Sequence, residues 1–418
     1  MEGTRKRLDV PDAVCEIAKR LEDSGYETWA VGGAVRDALL GGYRSDWDLA
    51  TAARPGTVRK LFRPSYPIGI QFGTVGVRGS DGRVYEVTTF RRDIETDGRH
   101  AVVEYAATIE EDLARRDFTV NAVAYHPLHH TFLDPFAGRE DLERRVLRCV
   151  GEPAQRFAED YLRVLRGLRF AGRYGLEIEP ATWEALTAAM PNLPRLSAER
   201  IREEILKLLA APGASSGLAL YRTSGALAVV VPELADLGDG EWEEILYAID
   251  GLPAHRGHLR LVALLAPARS RIEDLMMRLR FSNAEMRDTL ELRAALAVPV
   301  DVAGDVVGAR RWLRDVGPER AHDTLRLHFA RARARGAGPT ERRDLASRAR
   351  LVLQVLRRGD PVTVEDLAID GHDLKALGLQ PGPEFRRILE RCLEVAIGRP
   401  ELNQRETLLD YVREELCR

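Results

Sequence analysis

The sequence predicts an α+β chain in which residues 1–148 form a head with a mixed sheet and helices, and the remainder is helical. Three observations carry this expectation. Up to about residue 148, helical periods alternate with short strand-like runs closed by glycines, among them a hairpin signal at Asp81-Gly82. From Ala154 onward almost every segment has helical period, interrupted only at proline and glycine breaks such as Pro191–Pro194, Gly213 and Gly336–Pro339. Finally, 418 residues exceed what one hydrophobic core organises, so several domains are needed. The helical part divides into 149–215, 216–335 and 336–418.

Bulk properties exclude several classes. Hydrophobic residues at 45% can fill cores, and 30% charged residues argue against both a membrane protein and a disordered chain. The N-terminal MEGTRKRLDVPDAV has charge but no apolar stretch behind it, which fits neither a secretory signal nor an anchor and points to the cytoplasm. Cys15, Cys149, Cys392 and Cys417 lie far apart, as expected of reduced thiols. The net charge of -3 hides an arginine-rich run from Arg310 to Arg358, which is either a solvated helix face or a surface that tracks phosphates.

In chain order, Val14, Ile17, Ala18 and Leu21 recur at helical spacing, and ETWAVGG follows as a short strand ending in glycines. AVRDALLGG continues as a helix closed by Gly41 and Gly42. SDWDLAT reads as a strand, and RPGTV opens another helix. FGTVGVRGSDGRVYEVTTF is the hairpin. RRDIETDGRHA has no periodicity and is expected to be a mobile loop. IEEDLARRD is a helix, FTVNAVAY a strand and HPLHHTFLDPFAG a turn.

The chemistry starts at Asp46 and Asp48. Two apart on a strand, their carboxylates point one way and suit a cluster of hard cations, as nucleotidyl transfer requires. Alone, this pattern also describes a solvated strand end. Just before it, Gly32-Gly33-Ala34-Val35-Arg36-Asp37 sits at a strand-to-helix turn, where backbone amides face phosphate oxygens and Arg36 adds a charged donor. A phosphate-cradling turn, a helix and a two-carboxylate strand, in that order, match the head of polymerase-β-like nucleotidyltransferases. Glu86, on a following strand, is either a third acid of that site or a surface glutamate.

Further motifs follow in a telling order: VGGAVRD, DWDLAT, EEDLARRDFTVNAVAY, LDPFAGREDL and RFAEDYLRVLRGLRFAGRYGL. With them the chain resembles the bacterial class II CCA-adding tRNA nucleotidyltransferase and poly(A) polymerase family over nearly its whole length. The resemblance implies a catalytic head (1–148), a base-recognising neck (149–215), a body (216–335) and a tRNA-binding tail (336–418). It implies that Gly33 and Arg36 contact the nucleotide, that Asp46 and Asp48 bind Mg2+, and that Arg116 holds triphosphate or ribose. Asp160 and Arg163, three apart on one helix, would read the incoming base, with Arg166 and Arg169 extending the row towards the triphosphate. A carboxylate and a guanidinium suit the edges of cytosine and adenine, and mismatch guanine and uracil.

The expected reaction is template-independent addition of C and A from CTP and ATP to the 3′ end of tRNA, without membrane involvement. Addition of CC or A alone, or of poly(A), is the nearest alternative. A catalytically inactive RNA-binding protein is the alternative of another class. His255 and His258 stand where some relatives carry a His-Asp phosphohydrolase, but Ala266-Pro267 replaces the His-Asp pair, so they are expected to be surface or packing residues. His126, His129 and His130 cluster at a turn without carboxylate or cysteine partners, which makes them poor metal candidates.

Overall fold

The computed structural model describes residues 7–42, 46–96, 101–106, 108–302 and 304–416. They fall into two compact units, Met1–Leu208 with Pro212–Ala235, and Leu209–Ala211 with Asp236–Arg418.

The first unit begins with α1 (Asp12–Glu22), whose Val14, Ile17 and Leu21 are buried because they share one face at helical spacing. There follow β1 (Thr28–Val31), α2 (Gly33–Leu39), β2 (Asp48–Thr51), α3 (Pro55–Leu61), β3 (Ser65–Gly69), β4 (Thr74–Arg78) and β5 (Val84–Thr89). Next come β6 (Arg91–Thr96), β7 (Ala101–Tyr105), α4 (Ile109–Ala114), β8 (Ala124–His126) and β9 (Thr131–Leu133). A seven-stranded sheet runs β3-β4-β5-β2-β1-β8-β9, with β2 parallel to β5 and antiparallel to β1. Its core joins α1 and α2 to Leu49, Val75, Val87 and Tyr125 of the sheet. The β4–β5 hairpin turns at Asp81-Gly82 as expected, with Gly82 at φ 82°.

Two segments depart from expectation. The stretch expected as a loop forms a separate two-stranded hairpin, β6 with β7, in which Arg91 pairs with Tyr105 and Thr96 with Ala101. Backbone pairing needs no apolar periodicity, so the pattern gave no sign of it. The tip of that segment, 97–100, lies outside the described residues. FTVNAVAY is mostly not strand: Asp117 takes the N–H of Phe118 and the amide of Asn121, which winds 119–121 into a 3-10 turn before the short β8.

Helices α5 (Gly138–Glu143), α6 (Pro153–Glu159), α7 (Leu162–Tyr174), α8 (Pro180–Ala189), α9 (Ala198–Leu209) and α10 (Ala214–Thr223) continue the chain. Where α7 passes α10, Gly172 lies directly against the backbone of Gly217, and a Cβ on Gly172 would overlap it. Gly213 meets the Gly172 carbonyl in the same way.

In the second unit the described residues are helical apart from connecting turns. The arginine-rich run is partly consumed by structure: buried Arg310 bonds Asp360 and the Ile397 carbonyl, and Arg348 donates to the Val300 carbonyl. Arg331 is half-buried and lines a cavity of about 350 Å³ beside Glu244, whereas Arg333 and Arg335 are exposed. His258, which is exposed, and Arg256 both face Asp323. Cys15, Cys149 and Cys392 are free thiols, and Cys417 lies outside the described residues. No helix among the described residues is long and apolar enough to cross a membrane.

Candidate active site

A cleft of about 540 Å³ opens in the first unit above the β1–β2–β5 part of the sheet. On one side stand carboxylates. Asp48 begins β2 and is half-buried, and Asp46 precedes the strand and is exposed. Glu86 of β5 is the in-register neighbour of Asp48, so its side chain emerges on the same face. The sequence left Glu86 open, and strand pairing brings it into the cleft. Burial, followed by the charges of Glu86 and Asp46, pushes the Asp48 carboxyl up to about 6 against the pull of Arg116. Crowded hard oxygens of this kind are a donor set suited to a divalent cation.

Basic residues line the same cleft. Gly32, at φ 74°, and Gly33 form the turn into α2, and a Cβ on Gly32 would meet the Arg116 guanidinium at 3.1 Å. Arg116 donates to the Asn121 carbonyl (3.1 Å) and to Asp112 (3.0 Å), the latter already capping charge within α4. Its Nε is sealed from solvent and has no acceptor among the described residues.

Arg36 lines the cleft but is buried and engaged on every side. It bonds Asp37, Asn121 and the Tyr174 hydroxyl, with its guanidinium over the rings of Phe170 (5.0 Å) and Tyr174 (4.4 Å). Its geometry is that of a residue fastening α2 to α7.

Asp160 and Arg163 do not share a helix as expected. Asp160 is extended (φ -156°, ψ 106°) and separates α6 from α7, with Oδ1 accepting the Leu162 N–H at 3.0 Å and Oδ2 accepting from Arg200 at 2.7 Å. Arg163 lies in the first turn of α7, bonded to Glu159 and to the carbonyls of Arg156 and Arg115. Glu159 thus orients both Arg156 and Arg163. Both base-reading candidates still line the cleft.

Arg166 also lines it, bonded to Asp117 at 2.8 Å, but Arg169 is not brought there. Three-residue steps fall about 60° short of a full helical turn, so the row 163, 166, 169 winds away from the cleft. Arg169 instead meets the buried carboxylate of Glu204 at 2.7 Å.

Sequence reasoning missed Arg200, Asp117 and Asn121. Arg200 belongs to α9 and has no local motif, so only the fold brings it to Asp160. Burial alone would raise the Asp117 carboxyl, but Arg166 and the Asn121 amide bring it down to about 2. A folded value below the unfolded one of about 3.9 gives stability that is complete above roughly pH 4 and is lost as pH falls through the folded value. Asp117→Asn should therefore lower stability near neutral pH by on the order of 2 kcal/mol and flatten the acid limb of melting temperature against pH. An acid limb identical to that of the parent would refute this assignment.

Comparison with known proteins gives the following. Residues 28–148 match the family described as Poly A polymerase head domain, and 175–237 match Probable RNA and SrmB- binding site of polymerase A. The chain is 33% identical over 402 residues to the CCA-adding enzyme of Geobacillus stearothermophilus, covering 95% of each. It is 44% identical over 228 residues to that of Geobacillus thermodenitrificans, a stretch covering 54% of this chain and 55% of that enzyme. The crystal structure of the Bacillus stearothermophilus CCA-adding enzyme in complex with CTP superposes with a TM-score of 0.80 at 31% identity, over 97% of both chains.

Proposed function

The chain belongs to the family of CCA-adding enzymes, and from that premise we propose that the cleft transfers CMP and AMP from CTP and ATP to the 3′ end of tRNA. The observation that carries this reading is one cleft lined by Asp48 and Glu86, with Asp46 close enough to bear on the Asp48 carboxyl, and by Arg116, Arg163 and Arg200. Asp46, Asp48 and Glu86 would hold divalent metal, which we take to be Mg2+; when bound it acidifies the attacking hydroxyl and neutralises charge on the leaving pyrophosphate.

The chain's own residues do the rest. The glycine turn at Gly32-Gly33 lets the triphosphate approach the backbone, and Arg116, which lines the cleft, offers its guanidinium charge to the triphosphate oxygens. The 3′ oxygen of the tRNA forms a bond to the α-phosphorus as the bond to pyrophosphate breaks, and the hydroxyl proton leaves towards the carboxylate wall. Asp160 accepts from the exocyclic amine of cytosine or adenine, and Arg163 donates to ring acceptors. Arg200 and Glu159 hold these two readers in place, so the protein and not a nucleic acid serves as template. Arg36 and Arg166 act as positioning residues that keep α7 against the head. Exposed Arg333 and Arg335 fit sequence-independent contact with the tRNA backbone. A cytoplasmic setting belongs to the same reading.

The test is to supply tRNA lacking its tail, or ending in C or CC, with each labelled nucleotide in turn. The expected products are CCA, with UTP and GTP excluded. Asp160→Ala and Arg163→Ala should each erode discrimination against UTP and GTP by about 10- to 100-fold, the scale of one good base contact. Products stopping at CC, a single A, or a long A tract would identify a partial-tail enzyme or a poly(A) polymerase instead. Unchanged base choice in both variants would remove Asp160 and Arg163 from that role.

A further inference from the structure

Away from the cleft, the fold brings a carboxylate to the histidines that looked unpromising in sequence. Glu22, in the last turn of α1, reaches the β8–β9 hairpin, where His126 ends β8 and His129 occupies the turn. One ligand-type atom from each of the three residues lies within 4.8 Å of the other two. Their separation by more than a hundred positions explains why no sequence motif announced them.

Two further observations set this group apart from an ordinary ion pair. His126 Nε2 and Glu22 Oε1 are 2.8 Å apart, yet Oε1 is sealed from solvent and makes no hydrogen bond among the described residues. With Nδ1 accepting a backbone N–H, the neutral ring carries its proton on Nε2, beside but not well aligned with this oxygen, and must change tautomer to present a lone pair there. Ligand atoms about 2.0–2.1 Å from zinc in a tetrahedron stand roughly 3.3 Å apart, so this pair would open by about half an ångström around the ion. The second observation is enclosure. The Trp29 ring stands edge-on to His126 at 4.9 Å, and the His129 ring lies 4.2 Å from the His126 ring on the other flank. His130 is not part of this group, and its Nδ1 meets the Tyr125 hydroxyl at 3.0 Å.

We propose that Glu22, His126 and His129 form a three-ligand site for a divalent transition metal ion of the zinc class, fastening the C-terminal turn of α1 to the β8–β9 hairpin. Two imidazoles and one carboxylate are a ligand set that zinc favours and magnesium does not. Exposed His129 gives the ion its way in, and the fourth position is left to water. Occupation has one local cost. Nδ1 of His126 accepts the His129 backbone N–H at 3.2 Å, and this long bond must yield when the ring carries its proton on Nδ1 with Nε2 facing the ion.

The experiment strips the full chain with chelator, equilibrates it with Zn2+ near neutral pH and measures bound metal by atomic emission. About one equivalent is expected to remain bound in the Asp46→Ala/Asp48→Ala chain, which separates this site from the cleft, and to be lost in His129→Ala and Glu22→Gln. Substituting Co2+ should give the intense visible bands of a low-coordinate site in the parent only, and Zn2+ should raise the parent's melting temperature by about 5 °C and leave that of His129→Ala unmoved. His129 is exposed, so its variant should fold, as circular dichroism can verify, and should still add nucleotides to tRNA. Zinc uptake by a folded His129→Ala chain equal to that of the parent would overturn the site, as would zinc uptake abolished by Asp46→Ala/Asp48→Ala.

Discussion

Asp48→Ala is expected to lower nucleotide incorporation at the tRNA 3′ end by at least about 10³-fold, the loss that follows when metal-borne charge stabilisation worth several kcal/mol disappears. Asp46→Ala should behave alike. CTP binding, measured by calorimetry without turnover, should weaken far less, because Arg116 and Arg163 remain. The companion expectation concerns stability and has the opposite sign. Burial and the neighbouring acids hold the Asp48 carboxyl up at about 6, so the stability it lends in metal-free buffer is complete below its unfolded value and declines as pH rises through the folded one. At neutral pH, Asp48→Asn should therefore melt higher than the parent in chelator while remaining inactive. An Asp48→Ala chain with parental turnover would sink the assignment of the cleft.

The second large effect is structural. Arg169 and Glu204 are both buried and bonded at 2.7 Å, with Lys207 also near Glu204 at 3.3 Å. Removing one partner strands the other charge away from water, so Glu204→Ala is expected to cost about 3–5 kcal/mol. For a unit of this size that is a melting-temperature drop of roughly 10 °C. Replacing both, as Arg169→Met with Glu204→Leu, should cost less than either single change, since no unpaired charge remains. A double variant worse than both singles would mean that the pair contributes by specific bonding and not by mutual neutralisation.

Much of this was legible in the sequence where chemistry and local structure coincide. The glycine turn and the Asp81-Gly82 hairpin are short-range signals, and the fold keeps both where the pattern put them; of the Asp46/Asp48 pair only Asp48 lies on the strand, Asp46 preceding it. Glu86 became decidable only through strand register, because β2 and β5 are distant in sequence yet parallel neighbours. Arg200 and Glu204 were invisible for the same reason: their partners are supplied by the packing of α9. The row of arginines misled beyond Arg166, since spacing by three drifts around a helix and delivers Arg169 to the core. Two polar side chains, Asp117 and Asn121, bent a stretch whose composition reads as strand.

The contact of Gly172 with Gly217 has a consequence for redesign. Helices whose backbones abut have no intervening side chain to trim or enlarge, so the axis of α7 is not an adjustable variable. Libraries seeking altered nucleotide choice gain nothing by varying the seam, where added bulk breaks the frame. They should draw their diversity from residues around Asp160 and Arg163, and treat α7 as a fixed rail along which new specificities are mounted.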